Sequence, residues 1–527
     1  MDSNTGSNLD WRPSRQVKLI VIGQIFVVFA ISLDMTILTA TLPTVAEALH
    51  ADSVKTFWIA SSYLLANAVV QPLMAALADV FGRRSVIFTA MVLFTLGSIV
   101  CAVANNVDVM LAGRVIQGIG GGGILSLNLI IISDLVPLRF RGKYISLLQF
   151  CVSVGFNIAP IIGSLLVKHT TWRCLFYINL PFCAIGLAII PFVLRYQRPE
   201  STINDKISRI DWTGSTMFII GVTTFLVGIT WGGTQFAWDS AATLVPIILG
   251  LAAIFMTGLY EKFLAKMPFL RLSLFSSWSA IAIYACTILQ ALTLFTEVYF
   301  LVLWLLTAKL YSPLQSATYL LAFAVCTVPV SGIIGPIITR TGRFRWAVWS
   351  GWVITTLALG LLTLLDVETP TAHWVLMFIT AGIGQGLLFI AHSMASQAAC
   401  QSGDAAHAAS MYSFMRSFGL CLGIALGGTI FSNFLAHKLL EAGVDPAIAK
   451  HAESYIPALK AMADDSPLKH TIVHACSWTF QRLFATLCGI SGLGLVISCF
   501  IQGHTLDQEL QGGHVLRDEG KVTVTEV

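Results

Sequence analysis

Fourteen stretches of about 20 mostly apolar residues recur along the chain, each long enough to cross the hydrocarbon core of a bilayer as a helix. They lie near 18–42, 56–78, 85–104, 109–133, 143–167, 174–194, 212–231, 241–260, 279–305, 313–338, 346–365, 373–397, 408–432 and 483–503. In lipid every backbone polar group must find its partner within the protein, which leaves only helices or closed barrels. The alternating ten-residue segments of a membrane barrel are absent, so the chain reads as all-α. Composition supports the same solvent. Of 527 residues, 56% are hydrophobic and 11% charged, whereas a soluble domain carries about 25% charged residues. Soluble multidomain enzymes, disordered chains and nucleic-acid binders are thereby excluded. A net charge of +4 is too small to point to an anionic partner.

Lysine and arginine in the loops set the orientation. With a cytoplasmic N-terminus, the inner segments hold 20 basic residues and the outer ones 9, and five of those nine fall in or beside the segment 433–482. Both termini are therefore expected in the cytoplasm. No cleavable signal peptide is expected, because the first apolar run is too long, contains Asp34 and lacks a small-residue cleavage site. The eleven cysteines show no paired spacing and read as small hydrophobes. Cys476 is placed in the outer loop, where a disulfide to Cys174 is one option.

An internal repeat organises these spans. Ala75-Ala-Leu-Ala-Asp79-Val-Phe-Gly82-Arg83-Arg84, between spans 2 and 3, is echoed by Gly335-Pro-Ile-Ile-Thr339-Arg340-Thr-Gly342-Arg343 between spans 10 and 11. Gly118-Ile-Gly-Gly-Gly122 in span 4 is likewise echoed by Gly382-Ile-Gly-Gln-Gly386 in span 12. Spans 1–6 thus pair with spans 9–14, and spans 7 and 8 are an insert. The chain divides into an inner tail (1–17), a first six-helix bundle (18–210), two inserted helices (211–262), a second bundle (263–505) carrying the outer loop 433–482, and an inner tail (506–527). Repeated bundles with a midplane site between them are how many transporters are built.

Several motifs then appear in order. Leu33-Asp34-Met-Thr36 through Pro43 lies at the end of span 1, and Asp79-Val-Phe-Gly82-Arg83-Arg84 follows span 2. Arg114-Val-Ile-Gln117-Gly118 opens span 4, and Gly155-Phe-Asn-Ile-Ala159-Pro160-Ile-Ile-Gly163 fills span 5. Trp172-Arg173, Asn179-Leu-Pro181 and Trp231-Gly-Gly233 complete the series. Over roughly residues 18–505 the chain resembles the major facilitator superfamily, and within it the fourteen-span drug:proton antiporters, especially fungal exporters of toxins and secondary metabolites. Ala75 and Ala159 replace the glycines usual in two of the motifs.

The resemblance implies proton-coupled export of a small organic compound by alternating access, in the plasma membrane or alternatively the vacuolar membrane, by a monomer without a cofactor. No ATP is implied, since no G-x-x-x-x-G-K-[S/T] loop occurs. A proton-coupled importer of siderophores or nutrients remains a second reading, and a multispan enzyme or receptor a third.

Ionisable side chains at membrane depth mark a pathway or a pair. Five are expected within spans: Asp34, Arg114, Glu297, His392 and Arg416. Asp34 is the candidate proton carrier, since apolar surroundings favour the protonated acid and a nearby arginine the carboxylate. A permanent Asp34–Arg114 ion pair is the structural alternative. Arg114 and Gln117 tune that group or meet substrate; otherwise Arg114 binds carbonyls at a helix crossing. Glu297, in the span that repeats span 1, is a second proton site, a contact for a cationic substrate, or a hydrated residue near the outer face. His392 reads as an interior hydrogen-bonded group. Arg416, which precedes Gly419 and Gly423 at four-residue spacing, faces the cavity or merely accompanies glycine packing. Asp79, Gly82, Arg83 and Arg84 form a conformational lock at the inner face, or serve only topology. Thr339 replaces Asp79 in the repeat, so only the first copy can carry the full lock. Gly155, Pro160 and Gly163 bend span 5, and the resemblance implies that the bend seals the cavity. His470 and His474 have i,i+4 spacing, but two ligands without a third make no metal site.

Overall fold

The computed structural model describes residues 13–504 and 506, apart from 40, 195–201, 234, 402, 451 and 464. The tails 1–17 and 506–527 thus lie almost wholly outside the described residues. The first half consists of helix 1 (Arg15–Ile37), helix 2 (Ser53–Phe81), helix 3 (Arg83–Val103), helix 4 (Val107–Leu135), helix 5 (Leu138–His169) and helix 6 (Cys174–Tyr177 continuing as Asn179–Val193). Helix 7 (Trp212–Trp231) and helix 8 (Ala241–Phe263) are the insert. The second half holds helix 9 (Trp278–Thr307), helix 10 (Pro313–Thr341), helix 11 (Arg345–Leu362), helix 12 (Thr371–Ala398), helix 13 (Ala405–Glu441) and helix 14 (Pro467–Ser498). Thirteen of these are long and apolar enough to cross a membrane. Helix 11 is the exception, because its 18 residues include Arg345 and three tryptophans.

Local chemistry places the ends. Asp52, Asn106, Asp211, Ser277 and Ser312 each cap a helix by accepting from a backbone N–H two or three residues on, which satisfies donors left open in the first turn. Gly82 (φ +87°) and Gly342 (φ +64°) occupy the left-handed region at equivalent helix ends, where a side chain would strain the backbone.

The repeat seen in the sequence is repeated in atomic contacts. A Cβ on Gly118 would come within 2.6 Å of the Tyr63 carbonyl, and one on Gly122 within 2.2 Å of the Asn67 carbonyl. In the second half, Gly382 meets the Phe323 carbonyl at 2.2 Å and Gly386 the Thr327 carbonyl at 3.0 Å. Gly120 presses on Phe94 of helix 3 as Gly384 presses on Thr355 of helix 11. Small residues let helices approach this closely, and that contact replaces the hydrophobic driving force missing in lipid.

The two halves meet along helices 5 and 10 and along helices 2 and 13. At the first crossing a Cβ on Gly335 would lie 2.0 Å from the Gly142 carbonyl. At the second, Gln71 donates to Ser417 (2.7 Å). Helix 7 lies against this seam through Phe218–Phe414 and Phe225–Phe418 ring contacts, and Thr429 of helix 13 donates to the Gly232 carbonyl (2.9 Å). Helix 8 lies outside it and exposes Ile248, Leu249 and Phe255, an apolar surface suited to lipid.

Two expectations need correction. Helices 13 and 14 reach to Glu441 and back to Pro467, so the outer connection shrinks from 433–482 to 442–466, with short helices Ala447–Lys450 and Ala452–Ala461 inside it. Their polar end turns lower the hydropathy without breaking the helix. Cys476 is consequently a buried residue of helix 14, and all eleven cysteines, Cys174 among them, are free; the disulfide option is overturned. His470 and His474 are exposed on the same helix.

Gly120→Val should drive a side chain into the backbone of Phe94 and lower stability by about 1–3 kcal/mol. Gly489→Ala, at an exposed helical glycine with nothing within 4 Å, should leave stability unchanged or raised by up to about 1 kcal/mol. Thermal unfolding of both purified variants in one detergent checks the contrast.

Candidate functional site

Asp34 lies near the C-terminal end of helix 1 and Arg114 in the N-terminal part of helix 4, and both are buried inside the first half. Arg114 Nη1 donates to Asp34 Oδ2 at 2.7 Å and to Gln117 Oε1 at 2.8 Å. Asp34 Oδ1 accepts from Gln117 Nε2 (2.8 Å) and Asn179 Nδ2 (3.0 Å). Arg114 Nε donates to the Ile59 carbonyl (3.1 Å), and its guanidinium lies over the Tyr63 ring, 4.4 Å from the centroid. Gln117 also reaches Ser98 (2.9 Å). Helices 1, 2, 3, 4 and 6 thus each contribute to one ion pair. An arginine cannot be neutralised in a protein, so its burial requires such a partner, and breaking a buried pair is strongly destabilising.

Helix 5 lies tightly on the helix that carries Asp34. A Cβ on Gly155 would come within 2.3 Å of Ser32 Oγ, and one on Gly163 within 2.7 Å of the Ile37 carbonyl. Between them Thr36 donates to the Phe156 carbonyl (2.7 Å), and Pro160 sits within the helix. Any movement of helix 5 is therefore felt two residues from Asp34.

The second half has a carboxylate of different character. Glu297 is wholly buried, which removes the hydrated alternative. Its Oε2 accepts from Gln385 Nε2 (3.0 Å), and Gln385 in turn accepts from Gln290 (3.0 Å). Glu297 Oε1 has no hydrogen-bond partner among the described residues. Aligning Gly118 on Gly382 puts Phe378, packed between Trp304 and Trp374, where the first half has Arg114. His392 is buried beside Trp352, with neither ring nitrogen hydrogen-bonded, contrary to the expected satisfied histidine.

At the Asp79 end the halves are joined by polar contacts. Asp79 accepts from Arg83 Nη1 (2.5 Å) and pairs with His407 Nε2 (2.7 Å) of helix 13. Arg83 Nε donates to Asp134 Oδ2 (3.0 Å). Gly82 supplies the turn, while Arg84 enters none of these contacts. Arg141 donates to the Val136 and Ser133 carbonyls (2.6 and 2.5 Å) and to Gln397 of helix 12 (3.2 Å). Thr339, the counterpart of Asp79, leaves its hydroxyl without a partner and lies against Gly142. Asp134, Arg141 and His407 were not singled out from sequence, and Asn179 was noted there only as part of a motif. Asp134 and Arg141 close helix 4 and open helix 5 on either side of Pro137, where charges at helix ends look unremarkable in sequence. His407 becomes visible only when helix 13 is laid beside helix 2.

Above this closed end is a narrow cleft lined by helices 1, 4, 5 and 13. Asn128, Gln149, Ser413, Arg416 and Ser417 provide its polar groups, and Val28, Met35, Leu125 and Leu148 are among its apolar walls. Arg416, which sequence left undecided, faces this cleft.

Two bundles related by a repeat, with a cleft between them and a buried ion pair beside it, define a membrane transporter. The family model for the Major Facilitator Superfamily matches residues 25–427. The chain belongs to that superfamily. It is 35% identical over 500 residues to MFS transporter L2 of Phoma sp., covering 94% of this chain and 83% of that one. With efflux pump FUS6 of Gibberella fujikuroi it shares 32% over 501 residues, 93% of this chain and 90% of that one. With the MFS efflux transporter aclA of Aspergillus oryzae it shares 34% over 442 residues, 82% and 80% of the respective chains. The solved structure of the proton:xylose symporter XylE aligns with TM-score 0.57 at 14% identity, covering 94% of this chain and 98% of that one, a likeness of fold.

Arg114→Met should strand the Asp34 carboxylate and lower stability by about 3–5 kcal/mol. Adding Asp34→Asn to it should restore part of that loss. A double-mutant cycle of melting curves measures the coupling, and strict additivity of the two changes would show that the pair contributes nothing.

Proposed function

We propose that the chain is a fourteen-span proton:substrate antiporter, with both termini cytoplasmic, that exports small organic compounds such as secondary metabolites, toxins or drugs across the plasma membrane, the vacuolar membrane being the alternative. The observation that carries this reading is Asp34, buried, held by Arg114, Gln117 and Asn179, and packed through helix 1 against the glycine-lined face of helix 5. Protonation of Asp34 from outside would release Arg114 and weaken five-helix contacts at once, which couples a proton to the arrangement of the first half. The relatives named as efflux pumps favour outward transport.

The energetics are adequate. One charge crossing about 150 mV yields roughly 3.5 kcal/mol, and one pH unit adds about 1.4 kcal/mol. A neutral substrate exchanged for one proton is then concentrated by roughly three to four decades. In this scheme the cluster of Asp79, Arg83, Asp134 and His407 closes the inner end, and Gly142–Gly335 is the contact about which the halves separate.

Disrupting the gene in its host and comparing compounds inside and outside the cells identifies what is exported. With that compound, Asp34→Asn should abolish gradient-driven efflux from proteoliposomes, at least tenfold in rate, while counterflow exchange persists in part. Concentrative efflux by Asp34→Asn at the wild-type rate would remove Asp34 from the coupling step and direct attention to Glu297. Uptake driven by an inward proton gradient, with no efflux from preloaded vesicles, would make the protein an importer.

A further inference from the structure

Arg416 differs from the arginines buried elsewhere in the bundles. Arg114 has a carboxylate, and Arg141 has two carbonyls and an amide. Arg416 is partly buried on helix 13, and its guanidinium lies face-on to the Phe389 ring, 3.8 Å from the centroid. Its Nε has no hydrogen-bond partner, and no ion pair to it is found among the described residues. None of the residues lining the cleft is acidic. The two carboxylates of the neighbouring interior are committed elsewhere, Asp34 to Arg114 and Glu297 to Gln385.

An unmatched guanidinium in surroundings this apolar is costly, and the ring beneath it offsets only part of that cost. Arg416 lines the cleft together with Asn128, whose side-chain amide has neither Nδ2 nor Oδ1 bonded among the described residues. Tyr412, one turn before Arg416, donates to the Phe389 carbonyl (2.9 Å) and so fixes the backbone that carries the ring. A polar edge with one permanent cation and a free amide donor, set among Val28, Met35, Leu125 and Leu148, matches a molecule with an apolar body and a negatively charged group.

We propose that the cleft binds an organic anion, its carboxylate or similar acidic group paired with Arg416 and hydrogen-bonded by Asn128 Nδ2. The proposal rests on the cleft being the transport pathway, as in the function above, but names what chemistry it selects. Phe389 acts here as a positioning residue, holding the guanidinium plane toward the cleft. An inorganic anion would satisfy the charge and leave the apolar walls unused, so an acid with a hydrophobic skeleton is preferred over phosphate.

Binding separates this proposal from transport direction. Purified full-length protein in detergent is titrated with 9-anthracenecarboxylate and, separately, with its uncharged methyl ester, following ligand fluorescence. Wild type should bind the carboxylate at least tenfold more tightly than the ester, and a tenfold excess of inorganic phosphate should not displace it. In Arg416→Gln the carboxylate-to-ester ratio should fall to near one, while Arg416→Lys, which keeps the charge, should retain a ratio above three. Melting curves of the three proteins confirm that all are folded. Equal binding of carboxylate and ester by wild type, an unchanged ratio in Arg416→Gln, or displacement by equimolar phosphate would each overturn the organic-anion site. Arg416-dependent binding without any proton-driven flux of the bound acid would sustain the site while removing the antiport reading.

Discussion

A guanidinium that stays charged and cannot reach water dictates its surroundings. In the first half, Arg114 gathers Asp34 of helix 1, the Ile59 carbonyl and Tyr63 ring of helix 2, and Gln117 of its own helix 4, and Asn179 of helix 6 closes the far side of the carboxylate. The glycines of helix 4 make this gathering feasible, because Gly118 and Gly122 let helix 2 approach within backbone contact. The ion pair therefore depends on close packing, and the packing in turn is specified by where the pair must sit.

The second half keeps the packing and abandons the pair. Gly382 and Gly386 make the same backbone contacts as their counterparts, yet Phe378 occupies the place of the arginine and Glu297 is left with a single amide donor. The halves are thus alike as scaffolds and unlike as chemistry. One pairs its carboxylate with a guanidinium; the other gives it a single amide.

Sequence revealed the architecture because lipid simplifies the problem: span length, loop charge and glycine spacing each have one dominant cause. The paired roles of Asp34, Arg114 and Gln117 were legible because a charge at membrane depth must be explained. Where a helix ran past its apolar stretch, as at 433–441 and 467–482, hydropathy alone misplaced the boundary. Contacts between halves were illegible for a different reason. His407 and Asp79, or Arg141 and Gln397, are hundreds of residues apart, and nothing local distinguishes them from other polar residues at helix ends. Arg416 was visible as a charge, while the absence of its partner was not, since an unfilled valence is a property of three dimensions.

The replacement of Asp79 by Thr339 gives the closed end a handedness. On one side the halves are clasped by polar side chains, Asp79 against His407. On the other, two glycine backbones bear on each other with no charge between them. A structure fastened by a bolt on one edge and a bearing on the other swings and does not part evenly. That end is therefore lopsided, with a side-chain clasp where helices 2 and 13 meet and a backbone-on-backbone bearing where helices 5 and 10 meet.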